Sequence, residues 1–191
     1  MITLRRERLA DVEAREALLD EAFGETRWRK TSERLREGRL PAEGLSFVAA
    51  ECKRVVGTAR LWRVACASGD SALLLGPIAV AASCRNRGIG AALVRRAVAE
   101  ARRLGHGAVM LVGDAPYYGR FGFSSAKTGA LRLPGPFERH RLLALELLPG
   151  ALDGARGMVR AAGALAPEPD LAVLAATAPA MPKGRRAPRA A

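Results

Sequence analysis

Residues 84–90 read Cys84-Arg85-Asn86-Arg87-Gly88-Ile89-Gly90 and join an apolar run, Leu73 to Val80, to a helical pattern, Ala91 to Leu104. The first backbone N–H groups of a helix have no partner within it and carry partial positive charge, so an anion satisfies them. The two glycines lack the Cβ atoms that would keep a phosphate away from this backbone. Arg85 and Arg87 add charges that can bind phosphate oxygens through paired N–H groups. The stretch therefore predicts a polyphosphate site, and a diphosphate is its natural ligand.

Glycine-rich loops serve several folds, and two common ones are excluded here. The dinucleotide-binding fingerprint fails because its last position, which requires glycine or alanine, is Leu93. The P-loop fails because no Gly-Lys-Ser/Thr follows the glycines. The remaining pattern, Arg85-x-x-Gly88-x-Gly90, resembles the R/Q-x-x-G-x-G/A acetyl-CoA motif of the GNAT acetyltransferases. An ordinary strand-to-helix turn with basic neighbours is the alternative interpretation.

The resemblance implies an α/β (α+β) fold with a mixed, mostly antiparallel central sheet, flanking helices and a βαβ unit that binds acetyl-CoA. Acetyl-CoA would be the acyl donor, and no metal is implied. The implied cofactor-binding residues are Ile78, Ala79, Val80, Arg85, Asn86, Arg87, Gly88, Ile89, Gly90 and Ala91.

The apolar run before this motif changes phase. Leu73 and Leu75 set a period of two on odd positions, whereas Ile78 and Val80 continue it on even positions. A slip of one residue indicates a β-bulge, and Gly76-Pro77 suits one because proline donates no ladder hydrogen bond. We expect neighbouring strands to part there. In GNAT proteins a bulged fourth strand splays from the fifth and the pantetheine arm lies in the opening, and this segment resembles that strand.

A second motif follows the buried strand predicted at Ala108 to Val112. Residues 118–123, Tyr-Gly-Arg-Phe-Gly-Phe, resemble the GNAT pattern in which a tyrosine, three residues and Gly-Phe place the tyrosine beside the thioester sulfur. The resemblance implies that Tyr118, and not Tyr117, is catalytic and protonates the departing thiolate. Pro116 is placed to begin a short helix there. The asparagine that commonly follows the buried strand is absent.

Two further stretches complete the resemblance, which covers about residues 2–150. They are the rigid turn at residues 133–137, Leu-Pro-Gly-Pro-Phe, and the last predicted strand, Leu142 to Leu148. With the tyrosine motif they are similar to the YhbS-type branch of the GNAT family.

The general base is not identified by the sequence. The strand from Leu73 to Val80 carries no acidic residue, and the candidates are Glu51, Asp114 and Glu43. Cys84 is an alternative acyl-enzyme nucleophile because it adjoins a positive helix N-terminus that lowers a thiol pKa. No histidine stands near it in the sequence, and the resemblance implies direct transfer instead.

The remaining elements precede the bulged strand. In a GNAT fold the N-terminal helices lie over the acceptor site. We expect a short edge strand from Ile2 to Leu9, a helix from Asp11 to Gly24, a second short helix from Thr31 or Ser32 to Arg36, and a hairpin of Leu45 to Glu51 and Arg54 to Val64 joined by Cys52-Lys53.

Composition limits the partners. The net charge is +12, which suits a polyanionic ligand but does not choose between CoA and nucleic acid. Aromatic residues are 5%, too few to suggest a base-stacking surface, so nucleic acid is disfavoured. The three cysteines have no CxxC spacing, so neither a disulfide framework nor a zinc site is indicated. No apolar run is long enough for a membrane span or a signal peptide, and a cytoplasmic location is the expectation.

The chain is therefore predicted to have two parts, a GNAT acetyltransferase domain at residues 1–150 and an Ala/Pro/Arg-rich tail at residues 151–191. Ala151 to Leu165 suits a packed appendage, whereas Pro179 to Ala191 is expected to be disordered. The predicted function is N-acetyl transfer from acetyl-CoA to an unidentified small-molecule or protein amine by direct attack. The alternative is a non-catalytic acyl-CoA-sensing or RNA-associated module on the same fold. The oligomeric state stays open, with a homodimer among the alternatives.

Overall fold

The computed structural model describes residues 1–167, which fold around a seven-stranded sheet. A smaller parallel pair of strands, β6 and β8, lies apart from it. The strands are β1 (Ile2–Arg6), β2 (Ser46–Glu51), β3 (Arg54–Ala65), β4 (Ser71–Val80), β5 (Ala108–Val112), β6 (Leu131–Arg132), β7 (Leu142–Glu146), β8 (Gly157–Met158) and β9 (Arg160–Ala161). The α-helices are α1 (Val12–Phe23), α2 (Ile89–Arg103) and α3 (Ala115–Gly119).

The sheet is mixed and mostly antiparallel, as predicted. Its order is β1-β2-β3-β4-β5-β7, with β9 added to β3, and only β4 and β5 run parallel among these neighbours. Two parallel strands need a crossover connection, and α2 supplies it. The predicted βαβ unit is therefore present, and the strand predicted at Ala108 to Val112 has the same bounds as β5.

Helix α2 forms because its apolar residues recur at helical spacing and its arginines lie opposite. It comes very close to the sheet at Gly57 of β3, where a Cβ would lie 3.0 Å from Cγ2 of Ile89 and 3.1 Å from Cδ1 of Leu93. The glycine thus sets how deeply the helix can pack. The hydrophobic residues of α2 buried here are Ile89, Ala91, Leu93, Val94, Ala97 and Ala101.

The hairpin between β2 and β3 uses the two residues predicted for its turn. Cys52 has φ of +49° and Lys53 has φ of +66°, so both adopt the left-handed conformation that a type I′ turn requires. The antiparallel pairing of Glu51 with Arg54 confirms the hairpin. Cys52 and Lys53 therefore occupy turn positions at which glycine and asparagine are usually found.

The second predicted helix is present as a short 3₁₀ helix, with Ser32 and Arg36 at its two ends. Helix α1 follows Asp11 and ends before Gly24, as expected, and the next stretch forms two 3₁₀ turns, Glu25–Arg29 and Glu33–Leu35. Ion pairs and tertiary contacts hold this segment, including the pair between Arg36 and Glu33 at 2.8 Å. Short segments of this kind gain little from helix propensity alone, so tertiary contacts decide their conformation.

Residues 151–167 pack against the rest of the structure. Leu152 and Val159 are buried, β8 pairs with β6, and β9 pairs with β3. The backbone N–H of Leu40 donates to the carbonyl of Ala164 at 2.8 Å, which ties this segment to the N-terminal half. The two-part division of the chain stays a prediction, and its second part begins with packed residues. The disorder expected for Pro179 to Ala191 lies outside the described residues. Within residues 1–167, no helix is long and apolar enough to cross a membrane.

Candidate functional site

The site begins at the bulge in β4, which the phase slip predicted. Gly76 and Pro77 together stand opposite the single residue Arg60 of β3, so β4 carries one extra residue there. Beyond this point β4 separates from β5. The two strands pair only at Leu73 with Val109 and Leu74 with Met110. The predicted opening between the parallel strands is therefore present.

A side chain from β3 holds the bulge in place. The indole Nε1–H of Trp62 donates to the carbonyl of Gly76 at 2.7 Å. Gly76 has φ of +128°, a backbone conformation that side chains other than glycine rarely adopt. Trp62 is 8% exposed, so it is packed in the sheet, and it also lines the cavity described below.

The glycine loop lies at the other end of the opening. Gly88 has φ of +74° and immediately precedes α2, and no atom lies within 4 Å of the place where its Cβ would be. Gly90 faces Tyr117, whose hydroxyl oxygen lies 3.2 Å from the place of a Cβ on that glycine. Arg85 and Asn86 are exposed beside this space. The loop and the first turn of α2 thus leave room for an anion against free backbone N–H groups.

Arg87 is engaged by an acidic residue. Its guanidinium donates to Glu51 at 2.7 Å and 3.0 Å, and Nη1 lies 3.4 Å from the sulfur of Cys84. The pairing lowers the pKa of Glu51. Glu51 therefore lies at the glycine-loop end of the opening, and it is not among the residues that line the cavity described below.

Helix α3 places Tyr118 beside the opening. Pro116 lies in its first turn, as predicted, and the N–H of Tyr118 donates to the carbonyl of Asp114 at 3.0 Å. Gly113 makes room for the tyrosine, because a Cβ at that position would overlap the phenol ring. Burial is the largest influence on the Tyr118 hydroxyl and raises its pKa to about 12. The hydroxyl is therefore protonated throughout the neutral range.

A cavity of about 760 Å³ continues from the opening to the N-terminal segment. One wall is the donor wall, formed by the sheet and α3. The other is the acceptor wall, formed by α1, the 3₁₀ segment and the residue before β7. Donor-wall residues include Leu75, Gly76, Pro77, Ile78, Leu111 and Tyr118. Acceptor-wall residues include Glu16, Phe23, Lys30, Arg36, Glu37 and Arg141.

The acceptor wall is charged, and sequence reasoning missed its basic residues. Arg36 is 6% exposed, and burial lowers its pKa. Its Nη2 contacts Glu33 at 2.8 Å and Ser32 at 3.1 Å, whereas its Nε has no hydrogen-bond partner among the described residues. Partial burial, with Arg36 and Arg141 nearby, lowers the pKa of Lys30. No local motif marks these side chains, since they meet only through the tertiary fold.

Of the three predicted base candidates, Asp114 lines the cavity. Glu51 is paired with Arg87, and Glu43 lines a separate depression beside Arg6 and Leu40. Residues 1–167 contain no group of three His, Cys, Asp or Glu residues arranged to hold a metal ion.

Comparisons with known proteins agree with this geometry. A family model described as the acetyltransferase (GNAT) domain matches residues 42–125. The GNAT family N-acetyltransferase YhbS from Escherichia coli, crystallised with CoA, is 28% identical with a TM-score of 0.72, over 84% of this chain and 89% of that one. A GNAT family acetyltransferase from Brucella melitensis, crystallised with acetyl-CoA, is 25% identical with a TM-score of 0.65, over 85% of this chain and 96% of that one.

A third structure shares the fold. The ribosomal-protein-S18-alanine N-acetyltransferase from Escherichia coli is 20% identical with a TM-score of 0.53, over 78% of this chain and 95% of that one. No curated protein matches the chain. The mixed sheet, the bulged strand and these similarities lead to one conclusion: residues 42–125 match the acetyltransferase (GNAT) domain, and the chain has the fold of that family.

Proposed function

We propose that the protein transfers an acetyl group from acetyl-CoA to an amine by direct attack, as a member of a YhbS-like branch. The observation that carries the proposal is the parting of β4 from β5 beyond Leu74. The opening leads from the free N-terminus of α2 at one end to the cavity at the other. A diphosphate with a long thiol-bearing arm has the charge and the shape for such a path.

The predicted cofactor residues divide into two sets along this path. The N–H groups at the start of α2, from Ile89 to Ala91, would bind the diphosphate, with Arg85 adding charge from the loop. The backbone of β4 from Ile78 to Val80 would hydrogen-bond the pantetheine arm. The side chain of Ile89 is 4% exposed and packs in the core, so its contribution would come from the backbone.

When bound, acetyl-CoA supplies a thioester carbonyl that an amine can attack. Backbone N–H groups beside the bulge, near Ile78, are placed to stabilise negative charge on the carbonyl oxygen. The Tyr118 hydroxyl, which keeps its proton because of its raised pKa, donates to the sulfur as the C–S bond breaks. One N–C bond forms for each C–S bond that breaks.

The amine must lose a proton for this reaction, because only its neutral form has a free electron pair. An α-amine has a reference pKa near 8 and a lysine-like amine about 10.4, so part of either is protonated at neutral pH. We assign the acceptance of this proton to Asp114, acting through water, since its side chain lines the cavity. The attacking nitrogen gives its second proton to water as the amide forms, and Asp114 releases its proton to solvent. Solvent returns a proton to Tyr118, which completes the cycle.

Calorimetric titration with acetyl-CoA tests the proposal at about 0.3 M salt, where unspecific attraction to a basic protein is screened. ATP and a short RNA serve as controls. We expect one-to-one binding of acetyl-CoA and no binding of the controls. Binding of RNA without binding of acetyl-CoA would replace this proposal with the RNA-associated alternative.

A matched pair of variants locates the site. Gly90→Glu places a carboxylate at the proposed diphosphate site, where even a Cβ would lie 3.2 Å from the Tyr117 hydroxyl, and should abolish binding. Ala99→Glu adds the same charge to an exposed position near the other end of α2 and should leave affinity unchanged. Retained affinity in Gly90→Glu would remove the diphosphate from this loop.

A further inference from the structure

The acceptor wall places a buried cation next to the bulge. The Nη1 of Arg36 lies 3.8 Å from the place where a Cβ on Gly76 would be. The Arg36 side chain is 5% exposed. Its Nη2 contacts the carboxylate of Glu33, which is 18% exposed. The Nε of Arg36 has no hydrogen-bond partner among the described residues. A buried guanidinium with an unused N–H is costly unless another group accepts from it.

Two more cations lie near Arg36. The carbonyl of Arg141 accepts from the N–H of Gly113 at 2.9 Å, which fixes the Arg141 backbone beside the Tyr118 helix. Its guanidinium makes one contact with a carboxylate, at 3.5 Å to Glu138. Lys30 has no carboxylate within ion-pair distance in residues 1–167, and its ammonium lies 4.1 Å from the centre of the Phe23 ring. Within the described residues, neither of these two cations forms an ion pair with a carboxylate that lines the cavity.

Two of the three acidic residues on the same wall, Glu16 and Glu33, are already paired, and the third, Glu37, is exposed. Glu16 contacts Arg27 at 2.6 Å, and Glu33 contacts Arg36 at 2.8 Å. They are poorly placed to bind the second amine of a polyamine. Around the cations the lining is apolar and aromatic, with Phe23, Trp62 and Leu75 among its residues. A ligand that fits both features has one anionic group and a bulky apolar part.

We propose that the acceptor is an α-amino acid with a large apolar side chain, whose carboxylate binds Arg36 with support from Arg141 and Lys30. This proposal rests on the acetyl transfer proposed above. Because Arg36 adjoins the bulge where the thioester carbonyl would lie, the anionic group must be only a few bonds from the attacking amine. In an α-amino acid a single carbon separates them.

Binding of two products to the CoA complex tests this without requiring turnover. Calorimetry compares N-acetyl-L-phenylalanine with N-acetyl-L-phenylalaninamide, which differ only in the carboxylate. We expect the acid to bind roughly tenfold more tightly, or better, because a buried charged pair is lost with the amide. Equal affinity for the two compounds, or binding of neither, overturns the proposal.

Variants then assign the preference to the named cations. Arg36→Met and Arg141→Met should each bring the affinity ratio close to one, while Arg36→Lys should keep part of it. Arg102→Met, an exposed arginine near the end of α2, is the matched control and should keep the full ratio. If Arg36→Met fails to fold, Arg141→Met decides, because the Arg141 side chain is 44% exposed and its loss should be tolerated. A full ratio in the decisive variant overturns the proposal.

Titration of the unmodified protein and of the same variants with acetyl-CoA separates this proposal from the acetyl transfer on which it rests. In the unmodified protein, normal acetyl-CoA affinity together with no preference for the acid overturns the amino-acid acceptor and leaves acetyl transfer standing. If the unmodified protein does not bind acetyl-CoA, both the acetyl transfer and the amino-acid acceptor are overturned.

Discussion

The indole N–H of Trp62 donates a hydrogen bond of 2.7 Å to the carbonyl of Gly76 and so joins β3 to the bulge of β4. Trp62→Phe removes this donor and leaves a buried carbonyl unsatisfied, which should destabilise the fold by about 1–3 kcal/mol. The kcat should fall as well, because the proposed mechanism uses the bulge to position the thioester. Urea unfolding and steady-state kinetics measure the two effects.

Trp28→Phe is the matched control for this change. Trp28 is 59% exposed on the rim of the same cavity, so its substitution should alter unfolding by only a few tenths of a kcal/mol. Equal stability of the Trp62 and Trp28 variants would show that the indole N–H is not important to the bulge.

Tyr118→Phe should keep acetyl-CoA affinity and lower kcat by roughly tenfold or more, a typical loss for a general acid. Because burial raises the Tyr118 pKa to about 12, ionisation of this hydroxyl should not lower kcat of the unmodified enzyme up to about pH 10. Calorimetry and a pH–rate profile measure these quantities. Unchanged turnover in the variant would remove Tyr118 from the mechanism.

Tyr117→Phe is the informative comparison. Its hydroxyl faces Gly90 at the glycine loop, so any loss should appear in acetyl-CoA affinity and not in the chemical step. The opposite result, with kcat falling in the Tyr117 variant alone, would show that Tyr117 supplies the catalytic hydroxyl and that Tyr118 does not.

Glu51→Gln distinguishes two roles for that carboxylate, namely pairing with Arg87 beside the proposed diphosphate and action as the general base. The substitution releases the Arg87 guanidinium and removes a negative charge near the proposed diphosphate, so acetyl-CoA affinity should rise roughly two- to fivefold at low salt. The kcat should be unchanged, since Glu51 lies at the glycine-loop end. Calorimetry at two salt concentrations measures the affinity, and Glu43→Gln is the control.

A large loss of kcat in Glu51→Gln with normal affinity would restore Glu51 as the general base. That outcome would also require the acceptor to reach the glycine-loop end of the opening, which the present position of the cavity does not favour.

Asp11 should contribute stability that depends on pH. Hydrogen bonds from Arg5 at 2.6 Å and 2.7 Å, together with one from the N–H of Arg8, lower its pKa from 3.8 to about 2. A lowered pKa gives stability above pH 3.8 that is lost as the pH falls through about 2. Asp11→Asn should therefore cost about 1–3 kcal/mol at pH 7 and progressively less between pH 4 and pH 2.

Urea unfolding of the unmodified protein and of Asp11→Asn from pH 7 to pH 2 gives the difference between their free energies of unfolding directly. Glu13→Gln is the control, because Glu13 is exposed in the first turn of α1 and makes no ion pair within the described residues. A difference between the protein and Asp11→Asn that stays constant down to pH 2 would contradict the link to the carboxylate.

Local patterns predicted the donor half of the site well. The phase slip between Leu75 and Ile78 predicted the bulge, and the continuous apolar run predicted β5. These features depend on residues close together in the sequence, whose alternation and turn chemistry fix the backbone. The tyrosine motif likewise placed Tyr118 on a short helix beside the opening.

The acceptor half could not be predicted in the same way. Arg36 reaches Gly76 from forty residues away in the sequence, and Arg141 comes from beyond β5. The 3₁₀ segment carries no periodic apolar pattern that would have fixed its conformation. The pairing of β9 with β3 is similarly non-local, since it joins residues near Val64 to residues near Ala161.

The cavity walls are encoded by different parts of the chain. The donor-wall residues named above all fall within residues 42–125, the span matched by the family model, and the acceptor-wall residues all fall outside it. Substitutions in the flanking parts can therefore change which amine is accepted while the machinery for the activated acyl group stays intact. The part of the chain that matches the acetyltransferase domain is thus the part proposed to hold the acyl donor, whereas the residues proposed to select the amine lie outside that match.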